Sequence, residues 1–243
     1  MEGVQTFDRV GAESLVRWWR DAGVDVLVED SPRNWLARPA DPPKPSALAR
    51  SFTPDPTPAQ SDLPTTLPDL LAWMRGSDVP EAGWGRTRLL PSGDPASDVM
   101  VLVDLPEPGD AEAGRLLSGE VGELFDRMLH AIGRSRETIW LAPIATARVL
   151  GRISEETAHR LVEIARHQIA LVRPKRLLVM GERPNAALIG PDWQKRRGVY
   201  HSLNFSDHIV ETVGTFHPSL LNSSPSYKKE AWKDLQLLVK GLS

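Results

Sequence analysis

The segment Thr215 to Leu221, TFHPSLL, sets a histidine immediately after a short apolar run, and the proline behind it keeps a strand from continuing. A histidine at the mouth of a sheet can donate a hydrogen bond to a developing oxyanion when its surroundings fix the neutral tautomer. His217 is therefore the leading candidate for chemistry, and the competing reading is a histidine that only satisfies a turn. Asp104, Glu107 and Asp110 follow the apolar run VMVLV, Arg148 follows TIWLAPIATA, and Lys195, Arg196 and Arg197 form a cationic run. The 243 residues include no cysteine, which excludes disulfides, thiolate catalysis and cysteine-held zinc or iron–sulfur clusters.

Groups this far apart in sequence need a scaffold that gathers them. From Ser97 onward short apolar runs alternate with amphipathic stretches, the pattern of a parallel sheet covered on both faces. Strands are predicted at Val99 to Leu105, Thr138 to Ile144, Arg176 to Met180 and Ile209 to Val213. Helices are predicted at Glu120 to Ile132, at Ser154 to Val172 with Ser154 or Thr157 as cap, at Pro184 to Ile189, and from Ser226 to about Lys240. The expected fold is α/β: three layers, α/β/α, around a mainly parallel four-stranded sheet. Ligands of such sheets collect at the carboxyl ends of the strands, which directs attention to Asp104 to Glu107, Pro143 to Arg148, Gly181 to Arg183 and Thr215 to Leu221.

Three parts are expected: a helical extension over residues 1–36, a proline-rich linker over 37–66, and the α/β domain over 67–243. In the first, AESLVRWWRDAGVDVLV spaces Leu15, Val16, Trp18 and Trp19 as an amphipathic helix would. In the second, Arg38 to Pro68 holds nine of the 21 prolines, too dense for a helix or central strand. Leu67 to Met74 then reads as a short helix opening the domain. No apolar run approaches the roughly 20 residues of a membrane span, and the N-terminus lacks the apolar core of a signal peptide. A cytoplasmic monomer is expected. Net charge is −3, yet residues 173 to 243 carry 11 Lys and Arg against 6 Asp and Glu. That basic third suits phosphates, or else is an ordinary solvated surface.

The stretch TFHPSLLNSSPSYKKEAWKDL resembles the closing motif of the bacterial iron–sulfur-type (family four) uracil-DNA glycosylases, which runs T-[YF]-H-P-x-[YL]-L, a short loop with proline, and a K-x-x-x-W-x-D-L helix. DVMVLVDLPEPGDAEAGRLLSGEVGELFDRMLHAIG is similar, without gaps, to the segment that begins V-G-E-A-P-G in that family. Arg136 to Arg148 and Glu155 to Gly181 follow in the family's order, so the resemblance is continuous over residues 97 to 243 and loose at the front. It implies cleavage of an N-glycosidic bond after the base is flipped from the stack. By the resemblance, His217 stabilises charge on the departing base. By the same resemblance, the loop Leu220 to Pro225, which includes Ser223, wedges into the duplex and presses on phosphates, Pro218 and Ser219 bind DNA beside it, and Leu220 or Leu221 is an apolar wedge. Leucine pairs of this kind are also common in cores.

Several positions depart from that pattern. The first motif becomes Val103, Asp104, Leu105, Pro106 and Glu107: the glutamate is a shorter carboxylate and both glycines are gone. Asp104 is left to polarise water or steady an oxocarbenium-like sugar, with Glu107 and Asp110 as further carboxylates. The base pocket implied by the resemblance consists of Leu105, Pro106, Leu117 and Pro143; Leu117 stands where an aromatic would stack on uracil, and Pro143 where an asparagine would read it. Proline has no side-chain donor or acceptor. Two cluster ligands correspond to Ala147 and Leu161, so neither an iron–sulfur cluster nor another metal is expected. DNA is the expected partner, with Arg148, Lys195, Arg196 and Arg197 on phosphates. Three readings remain open: a catalytically silent relative, an active glycosylase for another deaminated base, and an interaction module whose tryptophan helix or proline-rich linker recruits a repair protein.

Overall fold

The run VMVLV offers water no polar face, so it has to be covered on both sides, and each of its residues is at most 1 % exposed. In a computed structural model that describes residues 63–85, 87–205 and 207–242, it forms the second strand of a six-stranded sheet. The strands are β1 (Ser92–Gly93), β2 (Val99–Val103), β3 (Trp140–Pro143), β4 (Arg176–Met180), β5 (His201–Asn204) and β6 (Ile209–Thr215), in the order β1-β3-β2-β4-β6-β5. The inner four, β3, β2, β4 and β6, are parallel to one another, and β1 and β5 add antiparallel edges. The sheet therefore has six strands rather than the expected four. Both additions lack an apolar pattern: β1 is two exposed residues, and β5 buries only Leu203.

The described helices are α1 (Leu67–Trp73), α2 (Asp110–Ala113), α3 (Gly119–Ala131), α4 (Glu155–Val172), α5 (Glu182–Leu188), α6 (Pro218–Ser223) and α7 (Lys228–Val239). Successive side chains of β2 point to opposite faces. Val99, Val101 and Val103 pack with Phe125 and Leu129 of α3 and with Leu235 and Leu238 of α7. Met100 and Leu102 pack with Leu161, Ala165 and Ile169 of α4 and Leu188 of α5. Two helix layers thus enclose the sheet. Ser154 caps α4 by accepting from the Thr157 N–H, and α1 lies on α4 through Leu70, Met74 and Ile164. The described chain starts at Leu63, already buried, and the Pro64 carbonyl accepts from His167 of α4 at 2.8 Å. The expected tryptophan helix and nearly all of the proline-rich linker lie outside the described residues. No helix among the described residues is long and apolar enough to cross a membrane.

Candidate active site

Strand β6 ends at Thr215, and two residues later His217 caps α6, a helix that takes up Leu220 to Ser223 of the loop expected at Leu220 to Pro225. Its Nδ1 accepts from the Ser219 backbone N–H at 3.3 Å and lies 2.8 Å from Ser219 Oγ. A backbone N–H can only donate, so the proton of the neutral ring belongs on Nε2. Nε2 is buried without a hydrogen-bond partner among the described residues. Burial lowers the pKa of His217 from 6.5, while Asp104 and Asp110 act in the opposite direction. The ring is therefore neutral at neutral pH, with one uncommitted N–H donor. Glu107 Oε1 stands 3.3 Å from Nδ1, placed to pair with the ring only after it is protonated.

Asp104 follows the last residue of β2, the neighbour of β4, and Arg183 Nη1 approaches its Oδ1 at 3.4 Å. Between Asp104 and His217 lies Gly181, at φ +107°, where a Cβ would stand 3.7 Å from the Cβ atoms of both residues. The glycine permits the turn out of β4 and keeps the space between the two side chains clear. Asn185 fixes this corner. Its buried Nδ2 donates to the carbonyls of Val179, Gly181 and Thr215, joining the ends of β4 and β6. Around Asp104 and His217 opens a cleft of about 380 Å³, lined also by Leu105, Glu107, Arg148, Leu150, Arg183 and Ser219.

Burial raises the pKa of Asp104 above 3.8, and Arg183 opposes the shift without cancelling it. The folded protein thus holds this proton more tightly than the unfolded chain. The group costs nothing below 3.8, where both states are protonated, and stability is lost as pH rises through the raised folded value. Asp104→Asn, a mimic of the protonated acid, is expected to be more stable than the parent at neutral pH. The advantage should vanish in acid, as urea midpoints at several pH values will show; a variant less stable at neutral pH contradicts the assignment. His217 has the opposite dependence: its neutral burial contributes stability above 6.5 that is lost as pH falls through the lowered folded value.

The expected base-pocket residues are dispersed. Leu105 lines the cleft, whereas Pro106, Leu117 and Pro143 are buried; Leu117 belongs to the core, and Pro143 sits in register with Val103. Asp110 is fully buried and organises the intervening loop. Its carboxylate accepts from the N–H groups of Glu107, Leu117 and Ser118 and from Ser118 Oγ, at 2.6–2.9 Å. Arg136 holds the same loop from the other side, donating to the Leu116 and Leu117 carbonyls. These bonds keep Leu117 at φ +52°, a costly conformation for a leucine. A Cβ on Gly122 would overlap the Leu117 carbonyl oxygen, so glycine is needed there.

The expected DNA-facing residues also divide. Arg148 and Ser219 line the cleft, and Leu220 is 38 % exposed on α6, but Leu221 is only 1 % exposed and packs in the core. Pro218 is buried as the first residue of α6, and exposed Ser223 donates to the Leu220 carbonyl. Lys195 and Arg196 are exposed. Arg197 is turned inward, donating to Asp234 at 2.5 and 3.2 Å and to Glu230 at 2.7 Å, with its guanidinium 3.9 Å from the Phe216 ring centre. Sequence reasoning did not single out Arg183 or Gly181 as site residues, although the strand-end rule pointed to their segment.

The residues present do not fit an iron–sulfur cluster. Ala147 and Leu161, at the positions of two expected ligands, are apolar and 1–2 % exposed, the chain has no cysteine, and no group of three His, Cys, Asp or Glu gathers among the described residues. Beside Ala147, Thr146 is held by an all-protein contact: its N–H and Oγ1 donate to buried Glu81 at 3.1 and 2.9 Å.

A covered parallel sheet with a carboxylate after β2 and a His-Pro pair after β6, on either side of the end of β4, defines an α/β class with its site at the sheet's carboxyl edge. Within that class, the model of the Uracil DNA glycosylase superfamily matches residues 90–236, more than half of the chain, and the chain belongs to this superfamily. It is similar to the type-4 uracil-DNA glycosylase of Pyrobaculum aerophilum, with 23% identity over 157 residues that cover 61% of this chain and 80% of the relative.

Proposed function

We propose that this protein is a DNA glycosylase of low rate and relaxed base choice, acting on deaminated bases rather than on uracil alone. One observation carries the reading: Asp104 and His217 stand on either side of Gly181 in an open cleft, while Leu117 and Pro143 are packed away from it. The two side chains suited to hydrolysis share the cleft, and the positions that would select uracil do not reach it.

The reaction follows from the atoms available. A nucleotide flipped into the cleft places its sugar near Asp104, whose carboxylate steadies the oxocarbenium-like C1′ and accepts a proton from the attacking water. The C1′–N bond breaks, its electron pair leaves with the base, and His217 Nε2–H donates a hydrogen bond to the base oxygen on which that charge develops. Water's oxygen remains on C1′, giving an abasic sugar and a free base. Asp104 is one methylene shorter than the glutamate of the resembled motif, and a misplacement of about 1 Å can cost roughly a hundredfold. Low rate follows from that geometry.

Single-turnover release from oligonucleotides carrying uracil, hypoxanthine or xanthine tests base choice. The rates are expected to differ by far less than the factor of about 10⁴ that a hydrogen-bonding reader can impose. A uracil preference of that size would contradict the proposal. DNA affinity should fall steeply with salt, and Arg148→Ala should reduce the salt slope by about 1 if its guanidinium meets one phosphate. An unchanged slope would remove Arg148 from the contact surface.

A further inference from the structure

Leu150 is 96 % exposed, against 38 % for Leu220, and it lines the same cleft as Asp104 and His217. A single exposed leucine is ordinary on a protein surface. Here the loop that carries it is rooted so that the tip stands clear. At its base, Thr146 is fully buried, bonded to Glu81, and accepts the Leu89 N–H through its carbonyl at 2.7 Å. Two residues further on, Arg148 donates to the Pro106 carbonyl at 2.9 Å. Gly151, at φ +125°, turns the chain behind the leucine, and the Ser154 cap fixes where α4 begins. In sequence the apolar tip lies two residues from each of the exposed cations Arg148 and Arg152, and Arg148 lines the same cleft.

We propose that Leu150 is the apolar wedge that enters the base stack when duplex DNA occupies the cleft, an assignment that rests on the DNA-glycosylase reading. The chemistry suits a duplex. Arginines on both sides meet phosphates, and the leucine between them meets stacked bases, whose opening apolar side chains stabilise by filling the gap. Leu221, one of the two wedge candidates in the sequence, is committed to the core through Leu124, Trp193 and Phe216. Leu220, the other, lies beside the cleft-lining Ser219, so it flanks the same cleft while exposing less apolar surface.

Fluorescence of an aminopurine placed next to a mismatch in duplex DNA, measured with the full chain at saturating protein and low salt, reports unstacking directly. The wild-type chain is expected to raise the signal. Leu150→Ala should lower the unstacked population about tenfold, the loss expected when a leucine's buried surface is removed. Its affinity for single-stranded DNA, which needs no wedge, should stay within about twofold. Leu150→Met should restore the signal, because an apolar side chain of similar size fills the same gap. Binding by Leu150→Ala with full unstacking would overturn the wedge assignment alone, as would wild-type binding without any rise in signal. Wild-type protein that binds no DNA would overturn the DNA-glycosylase reading together with the wedge.

Discussion

His217→Ala is expected to slow base release by about 10²–10³-fold, the cost of removing one donor aimed at a developing oxyanion. The expectation rests on the geometry at Nδ1. The Ser219 N–H holds that nitrogen as an acceptor, so the ring must present its proton at Nε2, which has no hydrogen-bond partner among the described residues. Burial keeps the imidazole neutral by lowering its pKa, and a neutral ring can stabilise an anion without giving up its proton. Single-turnover rates and DNA affinity should be measured together. A rate loss at unchanged affinity fits a donor that acts in the transition state. An equal loss in both would mean that His217 serves binding, and an unchanged rate would remove it from the chemistry.

Asp110→Ala should produce the largest stability loss, about 2–4 kcal/mol, because it leaves the buried Leu117 N–H without its acceptor, at about 1–3 kcal/mol, and removes the partly buried bonds from the Glu107 and Ser118 N–H groups and the Ser118 hydroxyl, which water replaces only in part. That is a large part of the roughly 5–15 kcal/mol that holds a domain together. Asp110→Asn keeps one oxygen acceptor and should lose less. Urea unfolding distinguishes the outcomes: a shift in midpoint at constant slope worth less than about 1 kcal/mol would show that the loop has other support. Asp110 does not line the cleft, yet it receives the Glu107 N–H and so positions the carboxylate 3.3 Å from His217 Nδ1.

Strands β2, β3 and β4 were legible because each is an apolar run buried on both faces, β6 because apolar residues recur along IVETV, and α4 announced its start with the Ser154 cap. The edge strands were hidden for the opposite reason. Ser92–Gly93 and His201–Asn204 are held by backbone pairing to β3 and β6, and pairing leaves little trace in side-chain pattern. His217 could be placed at the sheet's mouth from its proline, but the sequence could not show that the same proline opens a helix and that the histidine caps it. Arg197 read as a surface cation. Only the fold brings it to Asp234, 37 positions later, and to the face of Phe216. Likewise an acidic residue in a polar loop gives no sign that, as with Asp110, the chain closes around its carboxylate. Such networks depend on tertiary proximity, which local propensity does not encode.

The most direct measurement incubates stoichiometric protein with duplexes containing uracil, hypoxanthine or xanthine and detects free base and the abasic strand. Asp104→Ala and His217→Ala run alongside. The expected result is slow release from more than one lesion by the wild-type chain and near-background release by both variants. No product from any lesion, or release that survives both substitutions, would contradict the assignment of this cleft as a working glycosylase site.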